Sequence, residues 1–115
     1  MSIVPFSEIR DVTDITSADK QRIYDFLQGG VYCWCKNRKD EWFTVRDLLG
    51  GENFDWSGTP LQVLFDKHKK QGKSDDDALA AAAKDAGWIA KKVINDDKRN
   101  FETKKDYVRA YKWVK

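Results

Sequence analysis

The apolar periodicity of this chain changes character at Gly87, and that change bounds what it can fold into. Upstream, Ser74 is a good helix cap, and Asp75, Asp76 and Asp77 complement the positive end of a helix dipole. The helix they announce runs through Ala78 to Ala86, where Gly87 is expected to stop it. Its buried face would be Ala78, Leu79, Ala82, Ala83 and Ala86, small residues that let neighbouring backbones approach closely. From Trp88 to Ile94, and again from Tyr107 to Val114, the spacing is nearer two and rich in β-branched and aromatic residues. That predicts a C-terminal hairpin whose long polar tip is Asn95 to Asp106. Helices followed by a hairpin make the fold class α+β.

The other elements follow from caps and spacing. Ser17 precedes Ile23, Phe26, Leu27, Val31 and Trp34 at helical intervals, which predicts a helix from Ala18 to Cys35. Gly29-Gly30 leaves an alternative open, a break followed by a strand over Val31 to Cys35. Glu41 to Val45 reads as extended, and Thr44 caps a brief helical turn through Leu48 and Leu49 that Gly50-Gly51 ends. The loop Glu52 to Gly58 is pinned by Phe54 and Trp56. Thr59-Pro60 then opens a helix whose buried stripe is Leu61, Leu64, Phe65 and His68, ending before Gly72. In 115 residues without repeat or linker, this is one domain over residues 17–115, after a leader over 1–16 that docks in part through Ile3, Val4, Phe6 and Ile9.

Composition removes several classes. With 41% hydrophobic and 35% charged residues and only two prolines, the chain is neither disordered nor collagen-like. It holds no apolar run long enough to span a bilayer, and its start lacks the pattern of a secretory signal, so a cytoplasmic protein without a membrane partner is expected. Cys33-x-Cys35 is too close to close a useful loop and lacks zinc-knuckle spacing, so a packed thiol is expected rather than a metal site. His68 is the single histidine and has no evident catalytic partner. With no phosphate loop and no nucleophile motif either, the expectation is a non-enzyme with no catalytic residues, cofactor, metal or small-molecule substrate.

The order helix, short strand, helix, helix, strand, loop, strand resembles the winged-helix variant of the helix-turn-helix superfamily. The resemblance rests on Trp42-Phe43-Thr44-Val45, the Thr59-Pro60-Leu61 helix start, the Ala78 to Ala86 segment and the Gly87-Trp88-Ile89 junction into Lys91-Lys92-Val93-Ile94. It covers most of Ala18 to Val114 and is a match of element order. It implies three or four helices packed on a short three-stranded antiparallel sheet, with the hairpin as wing. Leu61 to Lys70 would be the supporting helix and Asp75 to Ala86 the one in the recognition position. Two features depart from the pattern: the Glu52 to Gly58 loop splits the second helix, and three aspartates begin a helix that would face a polyanion.

The net charge of +2 conceals a division. Residues 1–90 carry 12 Lys and Arg against 15 Asp and Glu, whereas residues 91–115 carry 9 against 4. A basic hairpin therefore sits on a mildly acidic body, the footprint expected for phosphate contact. The expected function is a module binding nucleic acid, double-stranded DNA in particular, through Lys98 and Arg99 at the wing tip, with Lys104, Lys105, Lys91, Lys92 and the middle-helix cluster Lys69, Lys70 and Lys73. Phe101 and Trp56 are the candidate contact aromatics. The competing account is that these lysines merely protect strand edges. The alternative function is a protein-interaction or adaptor domain using the Trp56 loop and the acidic helix start.

Overall fold

The computed structural model describes residues 3–4, 8–38, 40–49, 56–105 and 109–114. The first long helix, α1, spans Ser17–Asn37 and starts one residue earlier than expected, because Thr16, not Ser17, accepts the Asp19 N–H at 3.0 Å. Ile23, Leu27, Val31 and Cys35 recur every fourth residue and are all buried. That shared stripe carries the helix through Gly29 and Gly30, so the alternative strand over residues 31–35 does not form. Gly30 also lets Leu48 come close, since a Cβ there would lie 3.4 Å from that of Leu48.

Helix α2, Val45–Leu48, opens on the expected Thr44 cap. The Thr44 side chain accepts the Asp47 N–H at 3.3 Å, while the Asp47 carboxylate accepts the Thr44 N–H at 2.8 Å. This reciprocal capping box satisfies two groups a four-residue helix could not pair itself. Just ahead of it, Phe43 exchanges two 2.8 Å backbone hydrogen bonds with Tyr111. Gly50, Gly51 and Phe54 lie outside the described residues. At Thr59-Pro60 the expected cap becomes a turn: the Thr59 hydroxyl donates to the Trp56 carbonyl and accepts the Leu61 N–H. Helix α3 follows over Gln62–Lys70, burying Leu64 and His68, and Gly72 turns the chain back with a φ of +89°.

The largest correction concerns α4, which spans Asp75–Asp96 and does not stop at Gly87. Ser74 caps it as expected, its hydroxyl accepting the Asp77 N–H. Beyond Gly87, Ile89, Ala90, Val93 and Ile94 are buried together with Ala78, Ala82 and Ala86, one stripe at helical intervals. A glycine costs a helix interior roughly 1 kcal/mol, less than burying those four side chains contributes. Leu79 and Ala83, expected inside, are exposed.

With Trp88 to Ile94 helical, the hairpin forms later, from β2, Asn100–Lys105, and β3, Arg109–Val114, paired antiparallel. The expected tip residues 100–105 are therefore strand; Tyr107 lies outside the described residues. The expected three-stranded antiparallel sheet is absent among the described residues. Phe43 adds only a bridge to β3, and the two-residue β1, Ile3–Val4, runs parallel along β2. The result is a small α+β fold of four helices and an antiparallel hairpin, its core formed where α1 and α3 pack on α4 and Phe43, Phe101 and Tyr111 close the end. Val12 of the leader is also buried. No described helix is long and apolar enough to cross a membrane.

Candidate nucleic-acid interface

Alternation along β2 sends Phe101 and Thr103 into the core and leaves Asn100, Glu102 and Lys104 outside. Phe101 is fully buried, 6.1 Å from the Phe43 ring in an edge-to-face contact, which removes it as a contact aromatic. On the outer face, Lys104 and Lys112 come from adjacent strands and bracket one indole. The Lys104 ammonium lies 4.4 Å and the Lys112 ammonium 5.1 Å from the Trp42 ring centroid. Glu102 stands beside them, 3.9 Å from the Lys112 ammonium. Trp42 is half-buried, and in an extended segment with Phe43 facing inward its side chain turns to the opposite face.

At the same end of the hairpin, Lys105 and Arg109 are register partners, Lys105 exposed and Arg109 half-buried and donating to the Thr103 hydroxyl at 3.3 Å. Lys91 approaches them from α4. It is buried, with its ammonium 5.2 Å from the Trp88 ring centroid. Burial holds its pKa below the usual lysine range, and repulsion from Arg109 and Lys105 acts the same way against an opposing pull from Glu8.

The other expected contacts divide by what they touch. Lys98 is exposed where α4 meets β2. Arg99 is not at a wing tip: its guanidinium donates to both oxygens of Asp97, at 2.9 and 2.7 Å, and lies over the rings of Tyr32 and Trp113. Asp97, with 3% of its side chain exposed, also accepts from Gln28. Arg99 is thus spent on neutralising a buried carboxylate. Lys92 pairs with Asp96, and Lys69 with Asp75. Lys73 donates to Gln71, whereas Lys70 is exposed. Trp56 is half-buried and packs against the core.

His68 does have a partner. Its Nε2 lies 2.8 Å from Asp85 Oδ2, the same oxygen that receives the Lys67 ammonium at 2.7 Å. Lys67 also donates to the Thr13 carbonyl, so the cluster ties α3 to α4 and to the leader. Cys35 is the packed thiol, with a pKa raised by burial, while Cys33 on the other side of α1 is exposed.

The outer face of the hairpin thus brings Lys104 and Lys112 to one indole, while Lys105 and Arg109 belong to the opposite face of the strands. No family model, no curated protein and no solved structure matches this chain.

Proposed function

We propose that this chain is a non-enzymatic, winged-helix-like module that binds nucleic acid through its hairpin. The fold part of the proposal draws on the Phe43–Tyr111 bridge, which sets the segment after α1 against the strand of a C-terminal hairpin, as a winged helix would. The function part is carried by the Trp42 indole held between Lys104 and Lys112. Ammonium groups beside an aromatic face suit a phosphate backbone with its sugars and bases close by. Contact falls to the hairpin end, because Asp75, Asp76 and Asp77 would repel phosphates from the start of α4.

Fluorescence anisotropy with a labelled DNA duplex at low salt tests this. Lys104→Ala with Lys105→Ala should weaken binding by about tenfold or more, since each lost phosphate contact removes about one unit of salt slope. Lys84→Ala, on the exposed side of α4, should leave it unchanged. Absence of binding at low salt, or indifference to the double substitution, would sink the proposal. One observation favours a protein partner instead: Leu79 is 47% exposed on the helix that begins with the three aspartates. If Leu79→Asp abolished a self-association or partner contact while no nucleic acid bound, that second account would stand.

A further inference from the structure

We infer that Trp42 is a stacking platform for an unpaired base, so that the hairpin favours nucleic acid with a single-stranded segment over a blunt duplex. This rests on the proposal that the hairpin binds nucleic acid and specifies which form. Within a duplex each base face is covered by its neighbours, so an indole on a protein surface can stack only on a base that has left the helix or was never in it. A phosphate-binding surface for duplex DNA needs cations and no ring, yet here the ring is what the cations surround.

The placement supports exchange of partners. Lys104 pairs in register with Ala110, and Lys112 with Glu102, so the two lysines sit diagonally on one face with the indole between them. Diagonal positions on paired strands lie about 7–8 Å apart. When a base covers the ring, both ammonium groups can swing aside on their flexible stems to the flanking phosphates. Glu102 holds Lys112 at 3.9 Å, loose enough to release it. Lys104 is exposed, so the strand leaving the platform keeps a cation beside it.

Three labelled probes decide it: a blunt DNA duplex, the same duplex with a thymidine overhang, and a thymidine single strand. The last two should bind about tenfold more tightly than the first, the size of one aromatic–base stack. Trp42→Ala should weaken binding of the overhang and of the single strand about tenfold more than it weakens binding of the blunt duplex, which erases the difference, and Trp42→Phe should keep most of it. Equal affinity for all three probes, or an equal loss on all three in Trp42→Ala, would overturn the inference while leaving nucleic-acid binding intact. Failure of every probe to bind would instead remove the proposal beneath it. Should Trp42→Ala not fold, photocrosslinking the wild-type chain to a bromouracil-bearing single strand decides the matter. A crosslink on the peptide containing Trp42 supports the platform, and crosslinks confined to other peptides overturn it.

Discussion

Arg99 and Asp97 show how a charge that looks available in a sequence is consumed by folding. The carboxylate of Asp97 is 3% exposed, and its tolerance of burial depends on the two-oxygen contact with the Arg99 guanidinium. Arg99→Ala should destabilise the fold by roughly 2–3 kcal/mol in urea titration, because it takes the guanidinium countercharge from a buried carboxylate. Arg99→Lys should recover only part, as an ammonium lacks the planar fork that also covers Tyr32 and Trp113. A loss under about 0.5 kcal/mol would show that the pair is not needed. Tyr24 is a second residue with a measurable signature. Burial, followed by its hydrogen bond to Asp96, pushes its pKa up to about 12. The unfolded chain releases this proton near 10 and the folded chain holds it, so stability falls as pH rises through that window. Tyr24→Phe should lose roughly 1 kcal/mol at neutral pH. Its stability should then decline less steeply than that of the wild type between pH 10 and about 12. Tyr111, raised by its own burial, contributes equally to both proteins and cancels from the comparison. Parallel pH curves would exclude the Tyr24 account.

The glycines separate elements that propensity confuses. Gly87 lies inside α4 with nothing within 4 Å of where a Cβ would sit, whereas Gly72 turns the chain between α3 and α4 at a φ of +89°. Gly87→Ala should therefore stabilise by about 0.5–1 kcal/mol and raise the melting temperature, and Gly72→Ala should destabilise by about 1 kcal/mol or more. If Gly87→Ala were destabilising, the continuous helix would be wrong and a break at residue 87 restored. The start of α4, the cap at Thr44 and most of the stripe of α1 were legible beforehand, Phe26 being exposed, because caps and i to i+4 spacing are local. The C-terminal half of α4 was not. Trp88, Ile89, Val93 and Ile94 are types that strands also favour, and their pairing four apart acquires meaning only once α1 and α3 lie against them. The expected tip was misplaced for the same reason, and with it the roles of Phe101 and Arg99.

At the scale of the molecule, the excess of positive charge in residues 91–115 is redistributed by the fold. Lys91 is buried, Lys92 pairs with Asp96 and Arg99 with Asp97, while Lys98, Lys104 and Lys105 face solvent. If about three of these cations reach phosphates, the logarithm of affinity should fall against the logarithm of salt concentration with a slope of about −3, not the roughly −8 that nine contacts would produce. A flat salt dependence would mean that phosphates are not what the hairpin holds. The sequence alone determined the α+β class, the helix caps at Thr44 and Ser74 and the basic character of the C-terminal segment, since capping, turn chemistry and charge belong to residues close in the chain. Only the tertiary structure decided where α4 ends, which cations are spent inside and that Trp42 faces out between two lysines. Each of those depends on groups distant in sequence, Phe43 with Tyr111, Trp42 with Lys104 and Gln28 with Asp97, and burial acts on such groups only after the chain has brought them together.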